Sequence, residues 1–459
     1  MKKEIEIDGL LYVLDKDNQE STLKICVDKK RIGEVIIPST ISFEGMIYNV
    51  VAIGKCAFAY CDKLDSVIIP DSVTKIGESA FYNCNCMNFS SINLPQNLVQ
   101  IGDEAFHNCS WVESLTIPKN VISIGVGAFS SCTALADIIV EEGNLIYDSR
   151  EGCNAIIETS SNTIIAGCYA TIIPNTVEYI GHKAFSGCSF LASLNIPIGV
   201  KSIGKHAFAW CDHLASVHIS NSVTSIGDYA FEGCENLVAI DIPKSVVEIG
   251  RSPFCFCWEL NSIIVEEGNT VYDSRNNCNA IIETRKNSLI AGCCMTKIPP
   301  SVTSIGKETF KSANMGVVII PKNLVRIEEG AFDGCNHLMA IRDQEEDFCS
   351  IFENPFIVRI PDKIECIEKN AFRKCFNIKN LAIFGETHIE KNAFEGCCSI
   401  ANVYCHSKNA LSMPDAFSCL DLSTVTLHVP NESIEKYKNT EPWCRFGSIV
   451  HIELKDEKG

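Results

Sequence analysis

The groups in this sequence whose type and spacing could do chemistry are carboxylates, thiols and imidazoles. Glu141, Glu142, Asp148 and Glu158 return 125 residues later as Glu266, Glu267, Asp273 and Glu283, and calcium needs several such oxygens converging on one point. Their spacing matches neither an EF-hand nor an RTX-type loop, so they read as solvated acids on a turn that has been copied once. The pairs Cys84/Cys86, Cys255/Cys257, Cys293/Cys294 and Cys397/Cys398 are too close for structural zinc, which takes paired sets with a gap of about two to four residues. The ten histidines include no His-Glu-x-x-His and no partner for a nucleophile in a known motif. His206, His213 and His218 fall at exposed positions of two successive repeats and read as solvated or ligand-contacting surface. Gly125-Val-Gly127 lacks the third glycine of a dinucleotide loop. The expectation is no enzyme, no metal and no cofactor.

The elements that position these groups come from one repeated phrase. Val223-Thr-Ser-Ile-Gly-Asp-Tyr-Ala-Phe-Glu-Gly-Cys-Glu-Asn-Leu-Val-Ala-Ile-Asp-Ile-Pro243 recurs around Phe58, Phe81, Phe106, Phe129, Phe185, Phe208, Phe231, Phe254, Phe310, Phe332, Phe372, Phe394 and Phe417, mostly in steps of 22, 23 or 25 residues. Such a period signals short units that bury their apolar faces only by stacking. Within one unit, Leu214, Val217 and Ile219 alternate with Ser216 and His218, which is the pattern of a strand with one face inward. A proline such as Pro243 then ends the strand, because it cannot donate to a ladder. Val223 and Ile226 return to the core, and Gly227 is expected to let the backbone turn tightly. Ala230, Phe231, Cys234 and Leu237, spaced by three and four, predict a turn or so of helix.

The motif Ile-Pro-x-Ser-Val-x-x-Ile-Gly-x-x-Ala-Phe-x-x-Cys-x-x-Leu, repeated from about Ile36 to Phe417, resembles the leucine-rich repeats of the BspA type. The resemblance implies an α/β-type solenoid, an array of about 13–14 coils of 22–25 residues whose strands form a parallel sheet. It also implies a role as an adhesin or binding protein at a bacterial surface, and no chemistry.

Composition narrows the partners. The net charge of −18 disfavours nucleic acid, whose binding releases phosphate counterions through lysine and arginine, and it disfavours anionic membranes. No apolar run is long enough to span a bilayer. The opening Met-Lys-Lys-Glu-Ile-Glu-Ile-Asp-Gly has acids where the apolar part of a leader would stand, so either a leader was removed or the protein stays inside the cell. Cell-surface, secreted and cytoplasmic locations therefore all stay open. Eleven of the 26 cysteines lie three residues after a marker phenylalanine. A column that elsewhere holds Ala313 or Leu420 reads as buried, its thiols reduced and acting as small hydrophobes. Cys153/Cys168 and Cys278/Cys293, symmetric about their hairpins, are the more plausible bridges, though thiols are favoured there too.

Taken in order, residues 1–48 read as a β-rich N-terminal cap with hairpins at Ile5–Leu14, Ser21–Val27 and Glu34–Pro38. Residues 49–424 read as the solenoid, forming a single domain. Two extra residues fall around Asn85–Asn88. Insertions are expected at about 140–170 and 265–295, each a β-hairpin with a two-residue turn at Ser160-Ser161 or Arg285-Lys286, and at 342–357, an acidic solvated loop. Residues 425–459 read as a C-terminal cap in which Trp443 covers the last coil.

The outward strand position between two inward residues varies from coil to coil, beside a neighbour that is usually small, such as Ser66, Ser114, Ser193, Ser216 or Ala239. Stacked coils set these positions in file about 4.8 Å apart. The residues expected to contact a ligand are Asn93, Thr116, Asn195, His218, Asp241, Arg342 and Arg359. The expected function is that of a monomeric, non-catalytic binding or adhesion scaffold. Its ligand is a protein or glycan, host extracellular matrix among the candidates, met by the sheet face or the hairpins. The alternative is an intracellular protein-protein interaction module resembling inhibitor-like leucine-rich repeat proteins.

Overall fold

A computed structural model describes residues 2–26, 32–84, 91–343, 356–411, 413 and 415–452. The extra residues expected around Asn85–Asn88 and most of the acidic run after Arg342 lie outside the described residues. The chain divides into two compact units, Met1–Glu235 with Glu248–Gly250, and Asn236–Val247 with Arg251–Gly459. Each is a solenoid of stacked parallel coils.

In the first unit, strands Lys2–Ile7, Leu10–Asp15 and Glu20–Cys26 form an antiparallel meander, and the last of them pairs in parallel with Met46–Ile53. Glu34–Pro38, expected as part of a hairpin, instead contributes Gly33–Ile36 as a parallel partner of Leu64–Ile68. Coil follows coil in register thereafter. Ser114–Ile117 lies along Asp137–Val140, and Ser193–Ile196 along Ser216–Ile219. Inward residues such as Leu115, Ile117, Leu194 and Ile196 are buried while Thr116 and Asn195 between them are exposed.

Each coil also carries a second strand of only two residues. Lys75–Ile76, Gln100–Ile101 and Ser123–Ile124 pair in parallel, as do Tyr179–Ile180, Ser202–Ile203, Ser225–Ile226 and Glu248–Ile249. The expected bend after Val223 is therefore a second sheet. Gly227 is not left-handed. A Cβ there would stand 2.7 Å from the carbonyl carbon of Gly204 and from the amide nitrogen of Lys205, so glycine is required by the close approach of neighbouring coils and not by a tight turn.

The expected helical turn is not formed. Two left-handed residues flank the marker phenylalanine, Tyr229 (φ 55°) and Gly233 (φ 68°) around Phe231, and His206 (φ 51°) and Trp210 (φ 60°) around Phe208. Bonds run over three residues, from the Glu232 amide to the Tyr229 carbonyl at 3.1 Å and from the Cys234 amide to the Phe231 carbonyl at 3.3 Å. With a second sheet also holding the coils at strand spacing, the array cannot splay to make room for helices about 10 Å across, whereas this double turn frees an amide for the neighbouring coil. Phe208 N–H donates to the Ala230 carbonyl at 2.8 Å, and Phe185 N–H to the Ala207 carbonyl at 2.8 Å.

The phenylalanine rings stack through each unit. Centroids of Phe58, Phe81, Phe106 and Phe129 lie 5.1, 5.1 and 5.6 Å apart, and Phe310, Phe332, Phe372, Phe394 and Phe417 follow at 5.2, 5.1, 5.2 and 5.5 Å. Each insertion supplies a strand pair, Ala155–Glu158 with Thr163–Gly167 and Ala280–Glu283 with Ser288–Gly292. Four residues connect the strands, 159–162 and 284–287, where a two-residue turn was expected. The returning strands join the second sheet, Ile164 opposite Ile180 and Leu289 opposite Ile305. The hairpin thus extends the solenoid. At its end Gly167 and Gly292 leave room for the rings of Phe185 and Phe310, which lie 2.1 and 2.2 Å from where a Cβ would be.

The second unit closes on Thr426–Val429 and Ser448–His451, parallel to Asn402–Cys405. Ile434–Lys438, the one α-helix among the described residues, packs beside them. Trp443, fully buried, stands edge-on to Phe417 at 6.5 Å and donates its indole N–H to the Leu411 carbonyl at 2.8 Å.

Candidate binding surface

The outward face of the four-residue strands presents residues in register, because a parallel ladder sets equivalent positions opposite one another. In the first unit, Ile36 lies opposite Ile68, Thr116 opposite Ile139, and Asn195 opposite His218. Asn93, Thr116, Asn195 and His218 are exposed, and Ile36, Ile68 and Ile139 are exposed apolar members of the same files. In the second unit, Asp241 is exposed opposite Ile264, and Arg342 is half-buried opposite Ile319. Arg359 is half-buried on the strand that follows that of Arg342 in the sheet, Ile341 lying opposite Val358, and its file continues through Ala382, Tyr404, His428 and Val450.

That file holds residues the sequence reading passed over. Tyr404 stacks on His428 with centroids 4.3 Å apart, and Phe384 stacks on His406 at 4.2 Å. Beside them His428 Nε2 lies 3.2 Å from Asn402 Oδ1, and Asn402 Nδ2 donates to Asn380 Oδ1 at 3.0 Å. Burial pushes both imidazoles below the usual histidine range, with the Arg359 charge a second cause at His406. Alignment on Phe372 and Phe394 places Ala382 and Tyr404 at the outward position, ten residues on, but the same offset from Phe417 falls on the buried Leu427, so only Ala382 and Tyr404 carried a signal. Of the three histidines grouped by sequence, only His218 lies on this face. His206 belongs to the double turn, 2.9 Å from Glu232 and stacked on Tyr229, and His213 bonds the Ser189 carbonyl.

The carboxylates of the insertions are fastened locally. Asp148 is paired with Arg150 at 2.7 Å, and Asp273 with Arg275 at 2.6 Å. Glu158 accepts from the Ser161 hydroxyl at 2.5 Å, and Glu141 accepts from the Lys119 amide at 3.0 Å. Among the described residues no group of three or more His, Cys, Asp or Glu is arranged to hold a metal, and no helix is long and apolar enough to cross a membrane.

The profile of the BspA type leucine-rich repeat region, six copies long, matches residues 36–154, 166–281, 286–357 and 349–441. The chain belongs to the BspA-type leucine-rich repeat family. Among solved structures, this BspA-type chain is similar to a leucine-rich cell surface protein of Faecalibacterium prausnitzii A2-165, with 22% identity, coverage of 99% of this chain and 96% of that one, and a TM-score of 0.44. It is similar to the pneumococcal vaccine antigen PcpA, with 15% identity, coverage of 98% and 99%, and a TM-score of 0.48. A leucine-rich repeat protein of Eubacterium ventriosum shares 17% identity over 100% of this chain and 98% of that one, with a TM-score of 0.43. No curated protein matches. Membership in the BspA-type family stands on the repeats and not on these likenesses.

Proposed function

We propose that this BspA-type protein is a non-catalytic binding scaffold that presents its four-residue strands to a protein ligand, a host matrix protein being the favoured class. The observation that carries this reading is the pairing of Asn195 with His218 on an exposed face whose inward neighbours Leu194, Ile196 and Ile219 are buried and Val217 half-buried. Variable side chains ride there on an unvarying frame, so contacts change without cost to the fold. A few such residues carry most of the energy at an interface. The test is binding of the full chain to a panel of host matrix proteins, followed by the double variant Asn195→Ala/His218→Ala. Affinity should fall at least about tenfold, or about 1.4 kcal/mol, at an unchanged melting temperature. The reading fails if no matrix protein binds. It also fails if the variant binds as before while trimming residues 159–162 and 284–287 abolishes binding, which moves the surface to the hairpins.

A second reading, an interaction module inside the cell, is favoured by the thiol state of the cysteines. All 24 cysteines among the described residues are thiols, a state at home in a reducing compartment. A leader encoded at the native start of the gene would remove it.

A further inference from the structure

On the turn side of the second unit, the coils of Phe254, Phe310 and Phe332 enclose a depression of about 300 Å³. The first two coils are held together by the Ser252 hydroxyl, which donates to Glu308 Oε2 at 2.6 Å, and the last two by the stacked rings of Phe310 and Phe332. The depression arises from one backbone position, two residues beyond each marker phenylalanine, where the chain is left-handed. Phe256 (φ 61°) occupies it in the first coil, Ser312 (φ 56°) in the second and Gly334 (φ 73°) in the third. A large side chain followed by two small ones makes a wall and a floor. An aromatic residue in this conformation is backbone strain that glycine or asparagine would avoid. Trp210 and Gly233 repeat the large-then-small step in the first unit, but there the indole lies over the glycine, 2.4 Å from where a Cβ would be.

The rim carries complementary chemistry. Trp258, 45% exposed, stands two residues beyond Phe256, at a position that holds Asp212, Glu235, Asn314 and Asn336 in other coils. Glu259, Asn314, Asn336 and His337 line the depression with the two aromatic residues, and all four are exposed. Acceptors, donors and groups that do both are the match for adjacent hydroxyls, each of which also donates and accepts. Aromatic faces match the apolar C–H face of a saturated ring. No lysine or arginine lines the depression, and Glu259 repels anions. The volume lies at the lower end for small-ligand sites.

We propose that this depression binds one neutral hexopyranose ring, stacked on Trp258 and Phe256 and held through its hydroxyls by Glu259, Asn314, Asn336 and His337. This site is separate from the sheet face, and neither reading depends on the other.

The test is a saturation-transfer NMR titration of the full chain with the methyl glycosides of glucose, galactose, mannose and N-acetylglucosamine, followed by oligosaccharides ending in whichever hexose binds. At least one methyl glycoside should bind at about millimolar Kd. Trp258→Ala should weaken it at least about tenfold and Glu259→Gln measurably, both at an unchanged melting temperature, while Trp258→Phe restores part of the affinity. Displacement of the oligosaccharide by the methyl glycoside supports a terminal ring as the natural form of the ligand. The proposal is overturned if none of the four glycosides binds. It is equally overturned if binding survives both Trp258→Ala and Glu259→Gln, or is lost in Asn195→Ala/His218→Ala.

Discussion

The thiol of Cys109 donates to the carbonyl of Phe81, one coil earlier, at 3.2 Å. The relationship recurs from Cys132 to Phe106 and from Cys211 to Phe185 in the first unit, and from Cys335 to Phe310 and from Cys397 to Phe372 in the second, at 2.8–3.2 Å. The Phe81 carbonyl also accepts from the Cys84 amide at 3.1 Å, so the thiol satisfies its second lone pair. A donor must keep its proton, and burial ensures that: the thiols of Cys132 and Cys397 are pushed up to about 12. Cysteine thus combines small apolar volume with a donor, which neither alanine nor valine does.

Cys109→Ser should therefore be the mildest change at this site and Cys109→Val the harsher one, although valine is the better hydrophobe. The loss with valine should be about 1 kcal/mol or more, the net worth of a hydrogen bond, before any cost of overpacking. Urea unfolding of the two variants measures it. Valine as stable as the native residue would reduce the column to mere filling.

The same geometry predicts reactivity. The thiolate is the nucleophile, so iodoacetamide on the folded chain should modify the exposed Cys398, Cys419 and Cys444 and spare Cys109, Cys132, Cys211, Cys335 and Cys397. In denaturant all should alkylate as free thiols. Peptide mapping that found disulfides joining column cysteines to one another would contradict the stacked arrangement.

Trp443 ends the ring stack of the second unit by turning an edge to Phe417. Phe446 does the same at 5.9 Å. Trp443→Ala should cost about 3–5 kcal/mol, the usual range for deleting a buried aromatic, and should raise binding of a hydrophobic dye as the last coil opens. An unchanged melting temperature would show that the strands alone close the array.

A pH dependence follows from His107. Its ring is stacked on Tyr82 at 4.7 Å with Nδ1 2.7 Å from the Ser130 hydroxyl, and burial holds it below its ordinary value of 6.5. The unfolded chain then binds the proton more readily than the folded one. The stabilising contribution is complete above 6.5 and is lost as the pH falls from there towards the lower folded value. His406 and His428 act in the same direction. Thermal melts should fall between pH 7 and pH 5, and His107→Gln should flatten that slope. Parallel slopes would show that His107 titrates alike in both states.

The phenylalanine spacing made the stacking of coils legible in the sequence, since one ring per repeat at a constant offset has to build a column. The second sheet was not legible. Strands of two residues, such as Ser225–Ile226, contain a single inward residue and leave no alternation to detect. The double turn was hidden because Ala230, Phe231 and Cys234 have the spacing of a helix, while the left-handed positions that exclude one are filled by residues such as Tyr229, Trp210 and Lys374 instead of glycine. Of the candidate surface, the exposed outward positions as far as Asp241 could be read from alternation. The stacking of Tyr404 on His428 could not, since His428 stands eleven residues beyond Phe417 where Tyr404 stands ten beyond Phe394, and the phenylalanine spacing points to the inward Leu427 instead.

The 125-residue repeat that carries the two hairpins has a genetic consequence. Val140 and Val265 end equivalent strands, Asp137–Val140 and Ser262–Val265, and each is followed by the same Glu-Glu-Gly-Asn. Recombination between the two copies would excise residues 140–264 in frame and join Ile139 to Val265 without shifting a single inward residue outward. A protein with that deletion should fold with an unchanged circular dichroism signature per residue, and natural length variants of this chain should differ by whole cassettes of this kind. The duplication makes array length a property that one crossover can reset.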